Sequence, residues 1–437
     1  MITAFLRVSA LGSILLLVAG CGGSSTGGTG GGGGGGGNNS TTVTVAFTGA
    51  TPTAVATKIG SGSFASATAA SSVSLSLPSG TTNFGVAYVC PAETITLSVG
   101  TEQVTGQFVA EATTADGTSF TFVCPNLSTP GQTGSLTASV DASAIPGTTS
   151  LQIDALNGSY IGTAYTQGTL YNSSFPAPAG SDRVDIFAYD QQFNGSELSQ
   201  ILTGAKTFSG QAVPGSLNGG NTVFLTAADA STLEPITFIN IPAGFSPPSM
   251  IASFEPAGQL NGIPLAFGAF AQYPALPAGM VASGDSYLIQ AQSNGTSAAT
   301  SVMVLTSFSS AGPVSMTFPA PWSYAGPTPA ARPTVDFVYT GFSGKTGVSQ
   351  AEELSWPSGP NAQTLFELVA SANYQSGATS LTFPNLSGLP GFLAAPASGI
   401  DAFWSAYIFQ SSGGFNQKLP PNATVSEVYN GGHFLVP

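Results

Sequence analysis

Residues 78–89 read PSGTTNFGVAYV, a tight turn that leads into an apolar run. Proline, a small residue and glycine suit such a turn, and the run at 84–89 suits a strand with a buried face. The same pattern of proline, a small residue and glycine recurs at Pro178, Pro277 and Pro357. An alternating or apolar run follows each copy, at 184–189, 287–291 and 365–370. The recurrence predicts several related, strand-rich units.

Two further features recur with this turn. A predicted strand opens each unit, at 43–47, 151–155, 250–254 and 335–339, and a Thr-Phe pair ahead of a proline closes it, at 121–122, 237–238, 317–318 and 382–383. The first and last closing phrases match further, TSFTF and TSLTF, each followed by PNLS. We interpret the units as homologous modules at 43–146, 147–246, 247–331 and 332–437. Coincidence in a composition rich in Pro, Gly, Ser and Thr is the alternative.

The distribution of proline and glycine along the chain predicts an all-β fold. It holds 31 prolines and 56 glycines, and no long window keeps a helical apolar stripe. Short strands between such turns favour tandem β-sandwich modules of Ig-like or prealbumin-like type. A β-propeller is the alternative, with 335–386 as a four-stranded blade and 403–409 opening the next.

The first module resembles the carboxypeptidase regulatory-like, prealbumin-type sandwich. The resemblance rests on GSF at 62–64, LPSG at 77–80 and the aromatic strand that follows. The family places its aromatic residue where this chain has Thr82, and the nearest aromatic residue here is Phe84. The resemblance implies a non-catalytic adhesion or spacer module.

Composition excludes one class of partner. Only 6% of residues are charged and 42% are hydrophobic, so the body is expected to fold. Loss of a signal segment containing Arg7 would leave six basic side chains against twenty acidic ones, a net charge of −14. The basic residues are scattered, so the sequence argues against nucleic-acid binding.

The N-terminal residues resemble a targeting signal. One basic residue and a mostly apolar run at 8–19 predict a signal peptide at 1–20. The sequence VAGC at 18–21 resembles the lipobox of bacterial lipoproteins, with Val18 where Leu is usual. The resemblance implies cleavage before Cys21 and attachment of diacylglycerol and palmitate-type acyl chains to its thiol. A chance cysteine after an ordinary signal peptide is the alternative.

The next segment, 21–42, is nearly all Gly, Ser, Thr and Asn. Such a segment predicts a flexible linker between the lipid and the folded body. The expected location is the cell envelope, lipid-anchored at the outer membrane or cell surface. The membrane is then the first partner.

The two remaining cysteines sit in matching contexts, YVCP at 88–91 and FVCP at 122–125. We expect a disulfide between Cys90 and Cys124, because an exported protein meets an oxidising compartment. Two buried free thiols are the alternative. A zinc site is disfavoured by the distance of the lone His433 in sequence.

Catalytic chemistry finds little support in the sequence. We assign no catalytic residue, metal site or cofactor. His433 is interpreted as a terminal strand residue rather than a catalytic base. Asp182, Asp185 and Asp190, and the pair Glu352 and Glu353, are expected to be solvated acids whose alternating directions separate them. Weak calcium binding by the aspartates stays open.

Aromatic residues of the last third suggest a binding role. Trp322, Tyr324, Trp356 and Trp404, with Tyr407, could stack on sugar rings, and core packing is the alternative. The sequence therefore predicts a non-catalytic structural, adhesive or ligand-binding envelope lipoprotein, with a cell-surface glycan or protein as ligand. The alternative is a carbohydrate-binding or carboxylate-dependent glycan-degrading protein, which predicts two facing acids in a cleft.

Overall fold

The computed structural model describes residues 40–97, 100–124, 134–155, 159–164, 166, 168–177, 183–194, 197–257, 262–277, 279–296, 300–412 and 422–437. Within them the chain forms 29 strands, two 3-10 turns and one four-residue helix, α1 (Ala372–Gln375). The predicted all-β fold of sandwich modules is confirmed, and the described strands form no propeller. No described helix is long and apolar enough to cross a membrane. The signal peptide, Cys21 and most of the linker lie outside the described residues.

Module 1 packs a small three-stranded sheet against part of a much larger sheet. Its first strand is the centre of the small sheet, antiparallel to the fourth strand and parallel to the last. Alternation along the first strand buries Val43, Val45 and Phe47 between the sheets. The strands are β1 (Thr41–Gly49), β2 (Ala54–Ile59), β3 (Ala65–Ala67), β4 (Ser72–Leu77), β5 (Asn83–Val89), β6 (Glu93–Leu97), β7 (Gly100–Thr113) and β8 (Ser119–Cys124).

Module 2 repeats this plan. Its first strand pairs antiparallel with the fourth and parallel with two short closing strands. The strands are β9 (Gly134–Asp141), β10 (Ser150–Ala155), β11 (Ser159–Ala164), β12 (Tyr171–Ala177), β13 (Arg183–Asn194), β14 (Glu197–Ser209), β15 (Gly215–Ser216) and β16 (Val223–Phe224). The 3-10 turns Leu217–Gly220 and Ala227–Asp229 flank β16.

Module 3 has the same pairing, and module 4 has it without a closing strand among the described residues. Module 3 contains β17 (Thr232–Ile239), β18 (Ser249–Glu255), β19 (Ile263–Gly268), β20 (Gln272–Ala275), β21 (Ser286–Asn294), β22 (Thr300–Phe308) and β23 (Val314–Thr317). Module 4 contains β24 (Thr334–Asp336), β25 (Val348–Gly359), β26 (Ala362–Ser371), β27 (Ser380–Thr382), β28 (Asp401–Ser411) and β29 (Thr424–Leu435).

One strand order is common to the modules. With the strands of a module lettered a to g and the β6 insertion left out, the larger sheet runs c-b-e-f and the smaller runs d-a-g. An immunoglobulin domain places B with A, E and D, and C with F and G. Strands b and c share a sheet here, so the order is not that of an immunoglobulin domain.

Strand pairing groups the chain differently from the predicted boundaries at 146/147 and 246/247. Strand β9 pairs with β12, β15 and β16, and β17 pairs with β20 and β23. The second and third sandwiches therefore begin one strand earlier than the predicted openings at 151 and 250, which are b strands. The boundary at 331/332 falls between β23 and β24, as the sequence suggested.

The recurring Thr-Phe pairs and Pro-small-Gly turns do not occupy the same strand position in every module. Thr121-Phe122 lies in strand g of module 1, Thr237-Phe238 in strand a of module 3, and Thr382-Phe383 at strand d of module 4. All three strands belong to small sheets, where the Phe turns toward the core. The turn at Pro357 ends β25, whereas those at Pro78 and Pro277 precede e strands, and the copy at Pro178 lies outside the described residues.

The larger sheets of all four modules join into one sheet. Strand β7 of module 1 pairs in parallel with β26 of module 4, β29 pairs with β22 of module 3, and β19 pairs with β14 of module 2. The spatial order is therefore 1-4-3-2. One core cluster contains Ala56 of module 1, Tyr189 of module 2, Tyr287 of module 3 and Leu354 of module 4.

The predicted disulfide is present. Cys90 follows β5 and Cys124 ends β8, with their Cα atoms 5.5 Å apart. Because β5 belongs to the large sheet and β8 to the small one, the bond links the two sheets of module 1. Both residues lie in the core between these sheets.

Candidate functional site

The two neighbouring glutamates of β25 are buried on opposite faces of the large sheet. Alternation turns Glu352 to the side of Leu354 and Trp356, inside the module 4 sandwich. Glu353 points to the other face and is 4% exposed, while Glu352 is 0% exposed. The predicted divergence is confirmed. The expectation that both are solvated is wrong, because Glu352 faces the module 4 core and Glu353 is packed with neighbouring side chains such as Tyr407.

Glu353 belongs to a group of acids and tyrosines on that second face. It lies directly opposite Glu367 of β26, so the two Cβ atoms are about 5 Å apart. The Tyr407 hydroxyl donates to Glu353 Oε2 at 3.4 Å and accepts from Ser405 Oγ at 3.0 Å. Leu365, two residues before Glu367, belongs to the module 1 core, so the group lies beside module 1.

The group continues across β28 to β29. Tyr407 lies opposite Tyr429, and their rings are 5.1 Å apart. Glu427 precedes Tyr429 by two residues and therefore shares its face. Glu427 is 6% exposed, and its carboxyl makes no hydrogen bond or ion pair within the described part of the chain. We call Glu353, Glu367, Tyr407, Glu427 and Tyr429 the glutamate–tyrosine cluster.

Burial controls the ionisation of this cluster. It raises the pKa of Glu353 to about 8, with a smaller contribution from the charge of Glu367 and an opposing one from the Tyr407 hydrogen bond. Burial also raises the pKa of Glu367 to about 7 and that of Glu427 to about 8. The same effect raises the pKa values of Tyr407 and Tyr429. At neutral pH Glu353 and Glu427 therefore mostly keep their protons, and a protonated carboxyl can donate as well as accept hydrogen bonds.

The cluster contains no positive charge. The ion pairs of the described residues involve Lys58, Arg183, Lys206 and His433, and none includes a cluster member. No described group of three or more His, Cys, Asp and Glu side chains is arranged to hold a metal ion. Hydroxyls and carboxyls of this kind exchange hydrogen bonds, and the rings of Tyr407 and Tyr429 are only half-buried.

The four aromatic residues considered as ligand platforms lie in the interior of module 4 instead. Trp322, Trp356 and Trp404 are buried, and Tyr324 is half-buried. Trp322 stacks on Tyr324 at 5.0 Å, and Trp404 meets the Tyr324 ring edge-on at 5.7 Å. Trp356 meets Phe366 edge-on instead, and all these contacts match the alternative of core packing. Tyr407 alone of the aromatic residues considered belongs to the cluster.

The aspartate group considered for calcium is divided by the structure. Asp185 is buried and pairs with Arg183 at 3.0 Å, and Arg183 also donates to the carbonyl oxygen of Met280 in module 3. Its expected solvation is therefore wrong. Asp190 is half-buried and accepts from Gln192, while Asp182 lies outside the described residues.

His433 lies in β29, as the interpretation of a terminal strand residue expected. Its Nδ1 is 3.6 Å from Asp401 Oδ1, and its ring meets Phe403 edge-on. Both contacts are local to the last hairpin, away from the cluster.

Sequence reasoning missed Glu367, Glu427 and Tyr429. A hairpin turn after Pro357 places residues at equal distances on either side opposite each other, which pairs Glu353 with Glu367. The pairing of Glu353 with Glu367 could therefore have been predicted from the sequence. The positions of Glu427 and Tyr429 could not, because they depend on how β28 and β29 pair across a long connection.

Comparison with known proteins adds no relative. No family model matches the chain, and no curated protein matches it.

Proposed function

We propose that this chain is a lipid-anchored protein of the bacterial cell envelope that binds a ligand without transforming it. The anchor is Cys21 after its signal peptide, and the linker that follows spans about 20 residues, enough for a reach of roughly 25 Å. Strand β1 begins at Thr41, so the folded body starts as the glycine-rich segment ends. The body thus stands at a membrane surface on a flexible connection.

The glutamate–tyrosine cluster is the observation that carries the binding role. It gathers three acids with raised pKa values and two tyrosines on one sheet face, and such perturbed groups concentrate at functional sites. The large sheet holds them on four strands at fixed spacing. A cell-surface glycan is the ligand class that this chemistry fits.

The strand order supports the resemblance to prealbumin-type modules. Of the two sandwich types that the sequence suggested, the immunoglobulin order is excluded by the placement of strands b and c. A prealbumin-type sandwich implies an adhesion or spacer module, which is consistent with a binding role.

Anchoring is tested by metabolic labelling with radioactive palmitate. We expect label on the wild-type chain and none on Cys21→Ser. An unlabelled wild-type protein recovered from the medium would refute the anchor.

Ligand binding is tested on a glycan array with the purified chain and with Glu427→Gln, which keeps the shape of the side chain. We expect hits that the variant loses, while Asp336→Asn, an exposed change on the small sheet of module 4, keeps them. An array without hits, or hits unaffected by Glu427→Gln, would exclude the cluster as a glycan site.

A second candidate function is glycan hydrolysis by Glu353 and Glu367. Retaining hydrolysis uses two carboxyls about 5 Å apart, and these two residues are direct cross-strand neighbours. The measurement is release of reducing ends from glycans that bind. Release by the wild type that Glu353→Gln and Glu367→Gln each abolish would establish the enzyme, and binding without release would leave the non-catalytic role.

A further inference from the structure

The interior of module 4 holds several polar oxygens without partners. Neither carboxyl oxygen of Glu352 has a hydrogen-bond donor, and the same is true of Asn430 Oδ1 and Gln350 Oε1. Glu352 is 0% exposed and Asn430 is 1% exposed. A buried acceptor without a donor destabilises the folded state, and a buried charge without a partner destabilises it more. The interior is therefore short of a donor or of positive charge.

Strand register brings these oxygens together. Glu352 lies opposite Ala406 on β28, and Ala406 lies opposite Asn430 on β29. Neighbouring strands are about 4.8 Å apart, so the Cα atoms of Glu352 and Asn430 are about 10 Å apart. Only the methyl group of Ala406 lies between them on this face. Gln350 shares the face of Glu352 two residues earlier on β25.

The connection between modules 3 and 4 closes this interior. Asn430 Nδ2 donates to the carbonyl oxygen of Trp322 at 2.9 Å, which leaves Oδ1 as the free acceptor. The Tyr324 hydroxyl accepts from the Asp336 amide at 3.2 Å. Burial raises the pKa of Tyr324, and the charges of Asp336 and Glu352 raise it further. Tyr324 and Trp322 thus lie near the unpartnered oxygens.

The chemistry of the oxygens selects the occupant. All are hard oxygen acceptors, two from a carboxyl and two from amides, and such groups ligate metal cations without affinity for soft sulfur-seeking ions. The row contains one carboxylate, and no described Lys, Arg or His pairs with it. One positive charge therefore neutralises the site, whereas a divalent ion would leave an excess charge in the core.

We propose that Glu352, Asn430 and Gln350 form a buried site for one alkali metal cation of the size of Na⁺ in the core of module 4. The bound ion supplies the partner that the four oxygens lack. Burial also raises the pKa of Glu352 well above its usual value, so retention of a proton by this carboxyl is the competing way to remove the charge. The two differ in their dependence on Na⁺.

The test is thermal unfolding of the purified chain at constant ionic strength and pH 7.5, with NaCl replacing choline chloride. A ligand that binds only the folded state raises Tm with its concentration. We expect the wild type to gain a few degrees with saturation, and Glu352→Gln to show no dependence on Na⁺. Asp190→Asn, which changes an acid of module 2 away from this site, is the control and should respond as the wild type does.

Each other outcome overturns the proposal. A wild-type Tm independent of Na⁺ means that Glu352 keeps its proton, and an equal response in Glu352→Gln means that Na⁺ binds elsewhere. A response to CaCl2 but not to NaCl refutes the monovalent ion. Should Glu352→Gln fail to fold, Asn430→Ser removes one ligand instead and should shift the Na⁺ midpoint upward at least several-fold. An unchanged midpoint would count against the site.

Discussion

At Glu353 the large sheet holds a carboxyl group under conditions that favour its neutral form. Burial raises the folded-state pKa to about 8, while the unfolded chain returns it to the ordinary value near 4.5. Between these pH values the folded state keeps a proton that the unfolded state has released. This carboxyl therefore favours folding least at alkaline pH.

We expect Glu353→Gln to stabilise the protein by about 1–3 kcal/mol at pH 8.5 and to have little effect at pH 4. At pH 4 the glutamate is largely protonated in both states, so the amide replaces a group of the same charge. Urea unfolding at the two pH values measures the difference. A variant less stable than the wild type at pH 8.5 would show that the carboxyl is not desolvated as described.

Individual strands are held in place by covalent and polar links to other parts of the fold. Cys90 and Cys124 close a loop whose ends are 34 residues apart and tie β5 to β8 across the module 1 core. Other links are polar. Asp116, after β7, accepts from Ser371 Oγ at 2.6 Å and from Asn373 Nδ2 at 2.7 Å, which connects module 1 to the end of β26.

Loss of the disulfide should weaken module 1. We expect the double variant Cys90→Ser, Cys124→Ser to lose about 3–4 kcal/mol of unfolding free energy, since the open chain gains entropy. Guanidinium unfolding of the two proteins gives the difference. If the reduced wild type is as stable as the oxidised one, the bond contributes nothing to folding.

The contact of modules 1 and 4 has its own test. Asp116→Ala removes an acceptor shared by Ser371 and Asn373, and we expect a loss of about 2 kcal/mol with faster hydrogen exchange along β7 and β26. Asp190→Ala, whose side chain accepts from one exposed amide of its own strand, is the control and should change stability by less than about 0.5 kcal/mol. Equal effects of the two variants would argue against the link.

Strand pairing and a shared hydrophobic core connect the four modules. Module 4 lies between modules 1 and 3, and the core cluster draws on all four modules. The edge strands of neighbouring large sheets pair with each other, so one module cannot unfold without exposing an edge of the next. The modules are tandem in sequence and are one sheet in space.

We therefore expect one calorimetric unfolding transition for the four modules, with a calorimetric enthalpy equal to the van't Hoff enthalpy. Differential scanning calorimetry of the purified chain measures both. Two or more separated transitions would mean that the shared sheet does not couple the modules.

The sequence by itself determined the all-β class, the sandwich type of module and the disulfide. Turn residues and alternation act locally, and the two cysteines occupy matching strand ends, so short segments suffice to predict these features.

Only the tertiary structure decided which modules touch and which acids are buried. Pairing of β7 with β26 joins residues about 260 positions apart, and no local pattern encodes such a contact. Glu353 and Glu427 look like surface residues in sequence because their strands alternate normally. They are buried because strands distant in sequence bring other side chains, such as those of Tyr407 and Tyr429, to the same face, and strand pairing over long separations is a property of the complete fold.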